Sequence, residues 1–181
     1  EAPRQLDLLL KKQEDEISVK REELQRMLPE FNVVIGSSNS KPIVKFYEGR
    51  EGLAAMREEL VTNSQYKSFL SFTDMDDYLS GLPNFEDEQS DRRVQRGIPI
   101  KILYSYSKGK YNWEIGKLRE ARYLPPDKYP FMSSLSICPN VGVQINKYTG
   151  DYMGILIESK EVARTLESIF NLCWEAAEQY N

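Results

Sequence analysis

Histidine is absent from all 181 residues. That absence removes Ser/His and Cys/His nucleophilic dyads, histidine-ligated zinc and imidazole acid–base catalysis. Carboxylates, lysines and tyrosines remain as formal catalysts, and the expectation is a protein that is not an enzyme. Cysteine is nearly as scarce. Cys138 falls in a strand-like run, and Cys173 stands beside Trp174 in a helix-like one. Without neighbouring ligands they offer neither a metal set nor a disulfide framework, and both read as buried reduced thiols. Long apolar runs are missing too. The longest is broken within about six residues, far short of the roughly 20 that a membrane span needs. The charged, polar start lacks a secretory apolar segment, so the cytoplasm is the expected location. Cations are not in excess: 24 Lys and Arg face 28 Asp and Glu, a net charge of −4. A surface that holds duplex alone carries surplus Lys and Arg to displace phosphate counterions, so this stretch is not expected to touch nucleic acid directly.

What is present is an ordinary globular mixture, 40% apolar and 29% charged, long enough for one domain plus an appended element. Residues 3–28 read as a single long helix, with Pro3 in the first turn and no further Pro until Pro29. Leu10, Ile17, Leu24 and Phe31 recur every seven residues. A second row, Leu6, Gln13, Lys20 and Met27, completes a heptad seam that is apolar on one side and partly polar on the other. Residues 1–31 are therefore expected to be a coiled coil joining two copies through Leu10, Ile17, Leu24 and Met27. The alternative is an amphipathic helix lying on its own domain.

A Gly/Ser/Asn-rich connector, residues 32–41, separates this helix from a domain at 42–181. There the pattern alternates: a strand at 42–47, a helix at 50–62, a strand at 66–72, a short helix capped by Asp74 or Asp76, and a polar helix at 84–95. Ile98, Ile100, Ile102 and Tyr104 then alternate as a half-buried strand. Residues 105–111 form a loop, and 114–122 a short helix or irregular run. Strands at 131–137, 141–147 and 151–157 have short links and suggest an antiparallel meander. A closing amphipathic helix spans 160–179, with Val162, Leu166, Ile169, Phe170, Cys173 and Trp174 on its apolar face. The order predicts an α/β domain with a mixed sheet of about six strands and helices on both faces.

Several landmarks in order carry a family resemblance. They are Leu28-Pro-Glu-Phe31, the run Pro42-Ile-Val-Lys-Phe-Tyr-Glu-Gly-Arg-Glu-Gly52, Gly97-Ile-Pro-Ile-Lys101, Arg119-Glu-Ala-Arg-Tyr-Leu-Pro125, Gly154-Ile-Leu-Ile157, and Phe170 four residues before Trp174. Residues 3–179 resemble the region after the winged helix in TrmB-like transcriptional regulators. The resemblance implies a winged helix-turn-helix ahead of this sequence, a dimerising coiled coil, and an effector domain with a phospholipase D-like fold. It also implies that Glu1 marks a cut rather than a natural start, and that DNA is met only through the winged helix. Phospholipase D-like enzymes use a His-x-Lys-x(4)-Asp signature, and with no histidine this chain lacks the nucleophile. Aligning Asn140 with the signature Asp places Ser133 and Leu135 in the His and Lys slots. The former catalytic cleft then becomes the expected effector pocket. Sugar-sensing members use an extra domain beyond this region, which leaves a maltose-like ligand in doubt.

Four groups of residues are candidates for binding. Gly49-Arg50-Glu51-Gly52 could hold an anion at a helix N-terminus, or merely form a tight turn. Arg122, with Arg92, Arg93, Arg96 and Arg119, could line an anion pocket, or pair with nearby carboxylates. Tyr104, Tyr106, Tyr111 and Trp113 could stack on a ring, or cover the core. Asp74, Asp76 and Asp77 lack the spacing of a calcium loop and read as a helix cap. The ligand set expected from sequence is Arg50, Tyr104, Arg122 and Ser133, with no metal and no cofactor. Two other readings stay open: a constitutive dimerisation scaffold without ligand, and a hydrolase using carboxylates or a tyrosine.

Overall fold

The computed structural model describes residues 42–181 except 82–84 and 114–115, together with Ile17 and Lys20; the side chains of Val61 and of residues 85–89 are not described. The expected coiled coil at 1–31, with Leu10, Leu24 and Met27, thus lies outside the described residues. Ile17 has helical backbone and is exposed.

Pro42–Asn181 forms one compact unit around a seven-stranded sheet. The strands are β1 (Ile43–Glu48), β2 (Phe69–Asp74), β3 (Ile100–Ser105), β4 (Arg119–Tyr123), β5 (Ser134–Cys138), β6 (Gly142–Lys147) and β7 (Met153–Glu158). Their spatial order is β1-β7-β6-β5-β2-β3-β4. β2, β3 and β4 run parallel to one another, whereas β5, β6, β7 and β1 pair antiparallel. The fold is therefore α/β with a mixed sheet.

The strand period of two separates the faces. Leu70, Leu103, Ile137 and Val143 point toward α4 (Lys160–Ala176) and pack with its Ala163 and Phe170. Phe170 meets Phe72 edge-on at 5.2 Å between centroids and stacks on Trp174 at 5.7 Å. Ser159 starts this helix by accepting a hydrogen bond from the Val162 N–H at 3.3 Å. Ile169, assigned by sequence to the apolar face, is 45% exposed at its margin. The opposite sheet face carries α1 (Gly49–Thr62), α2 (Met75–Gly81) and α3 (Phe85–Gln95). Leu53 and Met56 of α1 pack on Tyr148 and Leu156, and Met75 of α2 on Ile102 and Tyr104.

α2 is fixed at both ends. The Asp74 carboxylate accepts from the N–H groups of Asp76 and Asp77 at 3.0 and 3.2 Å, which is the cap the sequence suggested. Asp77 accepts from the Tyr148 N–H at 2.8 Å and from the Thr149 hydroxyl, tying α2 to the β6–β7 loop. Gly81 lies directly on the Tyr148 backbone: a Cβ there would sit 1.9 Å from its carbonyl oxygen.

β4 corrects the sequence reading, which placed a short helix or irregular run at 114–122 and counted about six strands. Arg119, Ala121 and Tyr123 continue the Ile100, Ile102 and Tyr104 face through parallel pairing with β3. That pairing is non-local, and a five-residue segment with three charges shows no apolar alternation of its own. Leu118 just before it is left-handed (φ 48°), which ends any helical continuation. The outer rim of β4 is closed by Asn181. Its side chain accepts from the Tyr123 N–H at 2.7 Å and donates to the Tyr123 carbonyl at 3.2 Å. Among the described residues, no helix is long and apolar enough to cross a membrane.

Candidate functional site

A sheet face buried beneath helices ordinarily carries Val, Ile and Leu. The central strands depart from this. Ser71 and Thr73 of β2, Ser134 and Ser136 of β5, and Gln144 and Asn146 of β6 all lie on the face beneath α1–α3. Neighbouring strands set these groups side by side, since Ser71 pairs with Ser136, and Ser134 with Asn146. The Ser71 hydroxyl shares hydrogen bonds with Thr73 at 3.0 Å and with Ser136 at 3.3 Å. Small polar side chains leave room, and a cavity of about 130 Å³ opens above them.

Its other wall is apolar, made by Phe69, Ile98, Ile100 and Ile102 with Leu60 and Met75. Three arginines complete the lining: Arg57 from α1, Arg93 from α3 and Arg119 from β4. No described lining residue is acidic. Arg57 is 5% exposed; its guanidinium lies 5.5 Å from the ring centres of both Tyr78 and Tyr148 and donates to the Tyr78 hydroxyl at 3.4 Å. Burial pushes the Tyr148 phenol up to about 12, partly offset by the Arg57 charge. Arg93 donates to the carbonyls of Ile98, Lys117 and Leu118 and so closes the turn between α3 and β3. Burial, then the neighbouring Arg119 charge, brings Arg93 down to about 10, still cationic at neutral pH. Arg119 lies 4.5 Å from the Trp113 ring centre and donates to the Ser90 hydroxyl at 3.3 Å.

Buried polar atoms are normally partnered. Here the Ser134 hydroxyl and the Asn146 side-chain oxygen, in residues 3% and 2% exposed, line the cavity without a hydrogen-bond partner among the described residues. Gln144, fully buried beside them in the strand pairing, has neither amide atom partnered.

The four residues expected to form a ligand set are not brought together. Arg50 is exposed at the start of α1, 4.6 Å from the Tyr152 ring centre and bonded to the Tyr152 hydroxyl. Arg122 faces α4, where it donates to the Trp174 carbonyl and lies 4.6 Å from that indole. Tyr104 does not line the cavity; it is buried next to Ile102 on the same face of β3, its hydroxyl accepting from the Tyr111 N–H at 3.0 Å, against Trp113 and Tyr123. Ser133 does not line the cavity, and Leu135 packs against the α4 core. The inward positions on β5 are Ser134 and Ser136, one residue from the expected register. Arg92 forms a two-pronged pair with Glu58 at 2.6 Å, and Arg96 donates to the Asn63 carbonyl at 3.1 Å. Sequence reasoning passed over Arg57, Ser71, Ser134 and Asn146. Their signal was the period-two recurrence of small polar residues in three strands, which becomes a patch only once those strands are paired.

Among solved structures the domain is similar to Nuc from Salmonella typhimurium, a phospholipase D family member, with a TM-score of 0.54 over 75% of this chain and 95% of that one at 14% identity. The fold is phospholipase D-like. NucT from Helicobacter pylori matches this phospholipase D-like domain with a TM-score of 0.50 and 11% identity, over 75% of this chain and 97% of the other. TrmBL2, an archaeal chromatin protein whose structure shows a novel mode of DNA binding, aligns with 95% of the chain at 21% identity and a TM-score of 0.48. The chain spans 65% of the length of that TrmBL2 chain. No protein-family model and no curated protein matches the sequence.

Proposed function

We propose that this phospholipase D-like domain is the non-catalytic, effector-sensing part of a TrmB-like DNA-binding regulator. The observation that carries the reading is the cavity set between sheet and helices, lined by two buried arginines and a half-buried one and by hydroxyl and amide groups awaiting partners, in a chain without histidine. A pocket with an apolar wall and a few convergent polar groups suits a small molecule. The missing imidazole argues against the phosphorus-attacking chemistry of the signature enzymes.

In this reading residues 1–31 pair two copies through Leu10, Ile17, Leu24 and Met27, and the cytoplasmic homodimer reaches DNA only through a winged helix. Ligand in the cavity changes how α1–α3 sit on the sheet, and a coupling of about 1–3 kcal/mol alters operator affinity roughly 5–150-fold. The test measures operator affinity of the winged-helix-bearing protein across a metabolite panel, alongside light scattering of the 181-residue chain. Affinity indifferent to every metabolite, or a monomer in solution, defeats the proposal. The competing reading, a constitutive dimerisation scaffold, draws on the exposed Val44 and Phe46 of β1, 47% and 70% accessible. It expects a dimer and no stabilising metabolite.

A further inference from the structure

The cavity has two cationic ends, and they are not equivalent. At the β4 end Arg93 is committed to three backbone carbonyls, while Arg119 bonds Ser90 and stacks on Trp113. At the β6 end Arg57 donates to the Tyr78 hydroxyl and lies against the Tyr78 and Tyr148 rings, Tyr148 standing two residues after Asn146, just past the end of β6. Asn146 in turn pairs across the sheet with Ser134. Of the unpartnered polar atoms in cavity-lining residues, the Ser134 hydroxyl and the Asn146 side-chain oxygen lie toward the Arg57 end, and the Trp113 indole N–H lies at the Arg119 end. A hydroxyl can donate to an oxyanion, whereas an amide oxygen requires a donor. Beyond them lie Phe69, Ile100 and Ile102, which can contact only apolar atoms. A 150 Å³ apolar cavity accommodates benzene, so this slightly smaller one holds about six non-hydrogen atoms and, being open on one side, leaves the end of a longer ligand outside.

We infer that the cavity receives a small hydroxylated anion with a short apolar body, its oxyanion toward Arg57 and Ser134, its hydroxyl toward Asn146 and its hydrocarbon part over Ile100 and Ile102. A hydroxycarboxylate and a phosphate monoester share this chemistry. The inference rests on the sensor reading and names the ligand class.

Calorimetric titration of the full chain with hydroxyisocaproate, glycerol phosphate, inorganic phosphate and the neutral diol of the hydroxyisocaproate skeleton tests it. At least one organic anion should bind at least tenfold more tightly than the diol, and which anion wins identifies the head group. Asn146→Asp sets a like charge beside the head group and should weaken that anion at least tenfold, whereas the uncharged diol, whose hydroxyl a carboxylate still accepts, should not lose affinity. Ser134→Ala removes an unpartnered hydroxyl, so the domain should fold at least as well as the parent yet bind the anion several-fold more weakly. Preferential binding of the diol, or anion binding indifferent to both substitutions, overturns the anion class and leaves a sensor of neutral ligands standing. If no probe binds, the inference falls, and operator affinity measured against the metabolite panel decides separately whether the sensor reading falls with it.

Discussion

Gly81→Ala asks how tightly α2 is clamped to the β6–β7 loop beside the cavity. A methyl group at this position would lie 1.9 Å from the Tyr148 carbonyl oxygen and 2.5 Å from its carbonyl carbon and Cβ. Carbon–oxygen contacts settle near 3.3 Å, so the two backbones would have to separate by more than about 1 Å. Overpacking a tight site costs about 1–3 kcal/mol, and the upper end applies because the obstruction is main chain and cannot rotate away. The same displacement weakens the Asp77 hydrogen bond to the Tyr148 N–H, worth roughly 1 kcal/mol more. A loss of about 3–4 kcal/mol corresponds to a fall in Tm of roughly 10 °C for a domain of this size. The assay is urea unfolding followed by circular dichroism, with thermal melts alongside. Gly97→Ala serves as the control: Gly97 has φ 68° with nothing within 4 Å of an added methyl, and should lose only about 1 kcal/mol from its left-handed backbone. If Gly81→Ala proves as stable as the parent, or no worse than the Gly97 control, the close approach is wrong and so is the clamp.

Other outcomes follow from the same contacts. Arg122→Ala should lower stability by about 2 kcal/mol through loss of the Trp174 carbonyl bond and the indole stack, without changing ligand binding, because it lies on the α4 face; a variant that melts normally but loses ligand contradicts this placement. Asp77→Asn keeps the shape but replaces a charge-assisted acceptor for Tyr148 and Thr149, and should cost about 1–2 kcal/mol in urea unfolding; no change would mean the loop holds itself. Burial raises the Tyr148 phenol to about 12 and also raises the Tyr66 phenol and the Cys138 thiol. Their neutral forms are favoured in the folded state, so this contribution is complete below their ordinary titration range, near pH 9 and 10. It should be lost as pH rises toward 12, and an unfolding midpoint flat over that interval would refute it.

The architecture was readable wherever a segment's own pattern determined it. Alternating Ile98, Ile100 and Ile102 marked β3, the helical pattern at 50–62 marked α1, and the Asp74/Asp76 cap signal marked the start of α2, with Asp74 as the cap. β4 was unreadable because its strand character comes from pairing with β3, a partner more than a dozen residues away, and not from Arg119–Tyr123 themselves. The cavity was hidden for a related reason. Serine at every second position of β5 looks like a solvent face when read alone, and only the helices laid over it reveal Ser134 as buried and Ser136 as half-buried. The arginines misled in the opposite direction. Arg50 and Arg122 stand out in sequence beside turns and prolines, yet neither lines the cavity, whereas Arg57, itself against two tyrosine rings, sits inconspicuously mid-helix and does.

The Asn181 amide makes the two rims of the sheet unequal. By offering one carbonyl and one N–H to Tyr123, it imitates a single residue of a further strand and then goes no further. An extended peptide or a second sheet approaching β4 would have to evict it first. β1, at the other end of the strand order, has no such stopper among the described residues. Among the described residues, lateral growth of this sheet, whether wanted in assembly or unwanted in aggregation, is thus hindered at the β4 rim and not at the β1 rim.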